Sequence, residues 1–394
     1  MILELHIIQN FAPSNLNRSD TGAPKDCIFG GSRRARISSQ CFKRAMREHF
    51  RKNFSAQENL AERSTRLVEE IASQLEQSGK DKEEAKRIVE TALSGIGLKM
   101  SAKDATKTQY LLFLGRDEIK RIGEVCLNNY DALLAVAPQS AEGLSAKDAK
   151  KAAKGAAPVE VSKALQKVLD GGKAADLALF GRMLADLPDK NRDASSQVAH
   201  AISTHKVGLE FDFFTAVDDL KPEDTAGSDH LGTVEFNSAC FYRYANVNVE
   251  KLRENLQGDE DLTRATIEAY IRAAVEAIPT GKQNSFATHE KPSLVLATVS
   301  DAGKCSLANA FEKAVAVEEW NDETKEKREG LVLNSIEKMS GHYGKINKIY
   351  GDNAKSKVFV KTNDARTNGL GTEASSFAEL IDKTVNAIFD QQEA

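Results

Sequence analysis

GGSRRARISSQCFKRAMREHF, residues Gly30–Phe50, is the stretch on which the reading of this chain turns. Ser38 or Ser39 is placed to cap a helix running to about Phe50, because a serine hydroxyl accepts a bond from an otherwise unpaired amide of the first turn. On a wheel of about 100° per residue, Gln40, Lys43, Arg44 and Arg47 share one face. Phe42, Ala45, Met46 and His49 fall opposite, with Phe50 at the edge. One stripe can pack on a sheet while the other offers a row of cations and an amide. Arg33, Arg34 and Arg36 lie just upstream, and Gly30-Gly31 lets the chain bend without a Cβ clash. The helix start, where free amides and the positive dipole end favour an anion, therefore coincides with an arginine-rich approach. Such an arrangement can cradle phosphates and grip a polynucleotide backbone without reading its bases. The rival reading is a solvated charged helix face.

Upstream, Met1–Gln9 alternates toward apolar residues (Leu3, Leu5, Ile7) and reads as an opening strand, followed by a turn-rich loop from Pro13 to Gly31. Downstream, Ser55–Gly97 is helical and highly charged, Thr108–Gly115 fits a short strand, and Leu144–Ala157 is a Lys/Ala/Gly-rich tract. Asp176–Leu184 and Thr233–Val249 read as strands, Asp261–Ile278 as an amphipathic helix, and Ser293–Val299 as a buried strand. Helices from Ala308 and Phe377, with a strand over Lys357–Lys361, close the chain. The strongest elements follow the order βαββαβ, that of the ferredoxin-like fold. The expected class is α+β, an order that a plain α+β enzyme also satisfies.

Length and composition bound the function. A chain of 394 residues with 41% apolar content is long enough for two domains and rich enough for a packed core. No run approaches the roughly 18 apolar residues of a membrane span, and the N-terminus lacks the basic and cleavage regions of a signal peptide. Cys27, Cys41, Cys126, Cys240 and Cys305 are scattered without a C-x-x-C pair, which suits a reduced cytoplasm and argues against a disulfide framework or structural zinc. Net charge is −4, yet residues 1–50 carry eight Lys/Arg against four acids, so that segment is +4 and the remainder −8. A local basic footprint on an acidic body can hold phosphate, since exposed charges are screened beyond about 8 Å.

The Gly30–Arg47 segment, with Leu16-Asn17-Arg18 and Lys25-Asp26-x-Ile28-Phe29 before it, closely resembles the signature of CasC-type backbone subunits of type I-E CRISPR Cascade complexes. A second block resembles the same family: Ala199–His205, then Asp212-Phe213-Phe214-Thr215-Ala216-Val217-Asp218-Asp219. A third is His230-Leu231-Gly232-Thr233 running into Phe241–Asn246, with shorter echoes at Gly181-Arg182-Met183, Gly281-Lys282-Gln283 and Ala308–Ala314. The resemblance implies a non-catalytic, hand-shaped subunit with an RRM-like (ferredoxin-like) palm interrupted by two insertions. Palm segments would be 1–54, 174–195 (a strand) and 233–394 with the C-terminal helices, the fingers a helical insertion at 55–173, and the thumb a hairpin at 196–232. Several copies would stack head to tail along a CRISPR guide RNA in antiviral defence. Other partners would be target DNA and the remaining Cascade subunits: the guide 5′-handle cap subunit, the large and small subunits and the guide-processing endonuclease. Neither a cofactor nor a membrane is implied. Carried over by position, the RNA-contacting residues are Arg18, Lys25, Arg34, Ser38, Gln40, Lys43, Arg44, Arg47 and Lys282. Met183, Phe213 and Phe214 would wedge against or stack on bases.

Other chemistry is weighed beside this. His200, His205, His230 and Cys240 form at best a loose zinc set. Phe241-Tyr242-Arg243-Tyr244 lacks the glycines of the RRM aromatic motif and reads as sheet packing. Phe211, Phe213, Phe214, Val217 and Leu220, among Asp212, Asp218, Asp219, Glu223 and Asp224, could form a small satellite core or a stacking surface. Asp26 matters because related backbone subunits cut RNA with a loop aspartate. The alternatives are thus an RNA-cleaving subunit using Asp26, or a monomeric RRM-like RNA binder.

Overall fold

The opening strand is buried along both faces, so it must lie inside a sheet covered on each side. In a computed structural model, which describes residues 1–101, 104, 106–137, 157–216, 230–301, 303–321 and 326–390, that strand is β1 (Ile2–Ser14). It is followed by β2 (Asp26–Phe29), β3 (Ser32–Ile37) and helix α1 (Ser39–Asn53). Then come β4 (Ala61–Ser64), β5 (Leu112–Gly115), β6 (Ser196–Val198), β7 (Ala201–Ser203), β8 (Glu210–Ala216) and β9 (His230–Asn248). The series ends with β10 (Leu294–Ser300), β11 (Glu318–Asn321), β12 (Glu326–Glu329), β13 (Ala354–Lys361) and β14 (Thr372–Glu373).

The protein is a mixed α/β molecule with a large central sheet, in which neighbours run β14-β13-β10-β1-β9-β7-β3-β2. β1 is antiparallel to β9 on one side (Ile2 opposite Asn248) and to β10 on the other (Ile2 opposite Ser300). β6 and β7 pair antiparallel with β9, and β3 pairs with β7, so the chain passes beyond β9 before α1, which lies on the connection from β1 to β6. The helix Glu260–Glu276 likewise connects β9 to β10. Side chains alternate across β1 and β9. Phe11, Ile37 and Phe241 join Phe42 of α1 in one cluster. Tyr242, Leu296, Phe311 and Met339 join another, with the helix Leu331–Tyr350.

The chain divides into two units. The first comprises Met1–Asn53, Ser196–Val249 and Arg264–Ala394, and holds the central sheet. The second comprises Phe54–Ser195 and Glu250–Thr263, and packs helices such as Leu67–Gln77, Lys82–Gly95 and Arg116–Asn128 around Val68, Ile71, Ile88, Val89 and Ile122. Among the described residues no helix is long and apolar enough to cross a membrane.

Three expectations need correction. Asp176–Leu184 is not a strand: Ala175–Phe180 is a helix, ended by Gly181 at φ +76, and it belongs to the second unit together with the rest of 174–195. A short apolar run is ambiguous between buried strand and buried helix; here the Asp176 carboxylate accepts from the Ala61 amide (2.8 Å), which fixes the helical turn against β4. Residues 250–263, assigned to the palm, also group with that unit. Ala308 begins only a 3-10 turn, Ala308–Phe311, and the long helix follows at Leu331–Tyr350. Gly341 and Gly344 obscure that helix in the sequence by lowering its propensity, while Ile336, Met339 and Tyr343 supply its buried stripe. The Lys/Ala-rich tract, apart from Ala157, lies outside the described residues, as do Val217, Asp218, Asp219, Leu220, Glu223 and Asp224.

Candidate nucleic-acid interface

α1 is seated by its apolar stripe: Phe42, Met46 and Phe50 are buried. The Arg243 guanidinium lies over the Phe42 ring, 4.2 Å from its centroid, and burial pulls its pKa down to about 9. The cationic stripe is thereby turned away from the sheet. Gln40 and Arg44 are exposed, while Lys43 and Arg47 are half-buried. Burial lowers the Lys43 pKa.

The helix start is built from Ser38 and Asn17. The Cys41 amide donates to the Ser38 hydroxyl (3.3 Å), and the Ser38 amide donates to Asn17 Oδ1 (2.8 Å). Ser38 is 6% exposed and serves as the N-cap. Asn17 also accepts the Lys25 amide at its carbonyl (2.9 Å), and Asn15 Nδ2 donates to the carbonyls of Gly22 (2.9 Å) and Glu235 (2.8 Å). The loop carrying Arg18 is therefore tied to α1 and to β9. A further brace is Gly281, where a Cβ would collide with the carbonyls of Asn15 and Leu16. Lys282 follows it in the left-handed region at φ 51, half-buried.

Between this loop, α1 and residues 277–281 lies an open cavity of about 850 Å³. Arg18, Arg44 and Lys52 line it against Asp20 and Glu48, three cations to two carboxylates. Only Arg44 comes from the expected stripe; Cys41, Ala45, Glu48, His49 and Lys52 belong to the adjoining flank. Arg44, Glu48 and Lys52 stand at i, i+4 and i+8, a spacing legible in the sequence once the helix is carried to Asn53. His49 is held by Glu276 (3.1 Å). A second concavity shares Ser19 and Asp20 and takes in Lys25, Asp26, Arg33 and Arg36.

The three upstream arginines do three different things. Gly30 and Gly31, at φ +56 and +69, close a two-residue hairpin between β2 and β3. Arg33 points outward and pairs with Asp26. Arg36 donates through Nε to the Asp26 carbonyl (3.1 Å) and contacts His200 Nδ1 (3.0 Å). The His200 pKa is lowered by burial, with help from Arg36 and Lys25. Arg34 is fully buried and donates to the carbonyls of Ser203 (3.1 Å), Thr204 (2.8 Å), Phe311 (2.9 Å) and Glu312 (3.1 Å). The expectation that Arg34 contacts RNA is therefore corrected: a guanidinium surrounded by backbone acceptors cannot reach a phosphate.

The aromatic candidates sit on the hairpin of β8 and β9, where Phe213 is opposite Thr233 and Phe214 opposite Gly232. Phe213 is 69% exposed and Phe214 45%, so neither is the centre of a satellite core. Met183 belongs to the second unit and is 79% exposed. Its neighbour Arg182 is buried against Glu118, 2.8 Å away. No three His, Cys, Asp or Glu side chains among the described residues are grouped to hold a metal. His205 contacts the Lys206 carbonyl (2.9 Å) and the Cys240 amide (3.2 Å). Phe241, Tyr242, Arg243 and Tyr244 are all buried in the sheet.

The profile of the CT1975-like Cas family matches residues 3–386, nearly the whole chain. The chain belongs to the CT1975-like family of Cas proteins. A chain of a solved "CRISPR RNA-guided surveillance complex, pre-nicking" superposes with a TM-score of 0.84 at 31% identity, covering 99% of this chain and all of that one. A chain of a second "CRISPR RNA-guided surveillance complex" gives 0.73 at 26% identity, covering 98% of this chain and all of that one. No curated protein matches the chain.

Proposed function

We propose that this CT1975-like protein is a guide-RNA-binding backbone subunit of a type I-E Cascade complex, which holds the RNA for pairing with target DNA and does not cut it. The observation that carries the reading is the cationic stripe of α1, which joins through Arg44 the cavity lined by Arg18 and Lys52. Cations in such a row neutralise successive phosphates whatever the base sequence, leaving specificity to base pairing. The full-length likeness to chains of RNA-guided surveillance complexes supports the same reading. The antiparallel strand order β10-β1-β9-β7, with crossovers at α1 and Glu260–Glu276, supports an RRM-like palm. Lys25, Gln40, Lys43, Arg44 and Arg47 contact the backbone, with Arg18 and Lys282 beside them. Phe213, Phe214 and Met183 meet bases on copies stacked head to tail in the cytoplasm.

Asp26 takes no catalytic part in this proposal, because its carboxylate is paired with Arg33. Two measurements test the function. Co-expression with a CRISPR array is expected to yield a multimer that copurifies with RNA, by native mass; a monomer without RNA overturns the reading. Complementary RNA is expected to survive incubation with divalent metal. Cutting that disappears in Asp26→Ala would establish the cleaving subunit instead.

A further inference from the structure

In β8 and β9 the register sets Phe214 directly across from Gly232. A Cβ on that glycine would collide with Cζ, Cε1 and Cε2, the far end of the Phe214 ring. The ring therefore leans across the strand pair onto the bare backbone of β9, and does not stand up from the hairpin. It remains 45% exposed, so one side rests on the glycine while solvent reaches the rest. Phe213, on the opposite face of the strand, is 69% exposed.

We infer that Gly232 is a positioning residue for base stacking: its missing Cβ lets the Phe214 ring lie across β9 as a platform for a displaced base of the bound guide RNA. The inference rests on the RNA-binding reading above. A base stacks on an aromatic ring through any π-face, so the site needs an orientation and not a hydrogen-bonding edge. A glycine in a strand ordinarily weakens it relative to alanine. Gly232→Ala is thus expected to leave the hairpin intact or firmer, because the colliding atoms are the movable end of a side chain. What it removes is the resting position of the ring.

The experiment compares chemical reactivity along the guide in complexes assembled with wild type, Gly232→Ala, Phe214→Leu and Thr233→Ala. Wild type and Thr233→Ala are expected to show reactive nucleotides at a fixed interval. Gly232→Ala and Phe214→Leu are expected to lose that contrast about five-fold or more, the equivalent of one stacking contact, with an unchanged or raised melting temperature. Phe214→Leu keeps the glycine and removes the flat ring, so it reads the platform even if Gly232→Ala disturbs the hairpin. Full contrast in either variant overturns the inference and leaves RNA binding standing. No periodic contrast in wild type overturns the base-displacement reading itself.

Discussion

Each unit buries an arginine next to exposed residues, and the two burials are solved differently. In the sheet unit Arg34 donates to four neutral backbone carbonyls while Arg33 and Arg36, on either side of it, reach the second concavity. In the helical unit Arg182 faces the Glu118 carboxylate with both side chains fully buried, and Met183 beside it is exposed. Glu118 also accepts the amides of Gly115 (2.8 Å) and Gly171 (2.7 Å), and Arg182 donates to the Lys190 carbonyl (3.1 Å), so the pair is well satisfied. A guanidinium among carbonyls keeps its desolvation cost, and accordingly burial lowers the Arg34 pKa. A guanidinium against a carboxylate has that cost offset by a charge that is equally expensive to bury. The difference teaches that the partner, not the depth of burial, sets what a deletion does.

The largest expected effect follows. Glu118→Ala strands a buried cation and opens two amides, and should destabilise the helical unit by about 3–5 kcal/mol. Segment-resolved hydrogen exchange should show protection lost first around Arg116–Asn128. Loss below about 1 kcal/mol would mean that water reaches Arg182. Arg34→Met removes both the donors and the charge, leaving carbonyls short of partners but relieving desolvation. About 1–3 kcal/mol is expected, read by urea unfolding. An effect as large as that of Glu118→Ala would erase the distinction drawn here.

These anchors also mark where sequence reading stops. The α1 stripe, the capping serine, the Gly30–Gly31 bend and the strands read at 1–9, 233–249 and 293–299 are legible because period and turn chemistry are local, whereas the extension of β1 to Ser14 and the start of β9 at His230 are not. Arg33, Arg34 and Arg36 look alike in sequence, and their separation into ion pair, anchor and groove cation depends on Asp26, Phe311 and His200, up to 277 residues away. The reading of Pro13–Gly31 as a loop conceals β2, and with it the alternation that turns Arg34 inward; two glycines between short apolar runs are the signal of the hairpin. Arg182 stands out in the sequence only within the Gly181-Arg182-Met183 echo, since nothing near it announces Glu118.

A cation of the α1 stripe should behave unlike either anchor. Lys43→Ala is expected to weaken RNA binding about equally for unrelated guides and to reduce the slope of log affinity against log salt by about 0.7, the single-strand value for one phosphate. Binding measured across salt for two guides of different sequence checks both parts. Loss confined to one guide would point to base reading and break the division between anchors and contacts.

Met183 provides the smallest effect on stability and the sharpest contrast with its neighbour. At 79% exposure its side chain has little to lose on truncation, and Met183→Ala should change the free energy of urea unfolding by no more than about 0.5 kcal/mol. Its backbone is nevertheless held firmly, because Arg182 exchanges two hydrogen bonds with Arg192 (2.9 Å each) and is itself pinned by Glu118. A long apolar side chain on so fixed a base suits contact with a nucleobase better than a role in folding. Reactivity of the bound guide should therefore change in Met183→Ala while the protein's unfolding does not. If unfolding shifts by several kcal/mol and the guide pattern stays as in wild type, Met183 belongs with Arg182 to the framework, and the helical unit has an anchor without a contact.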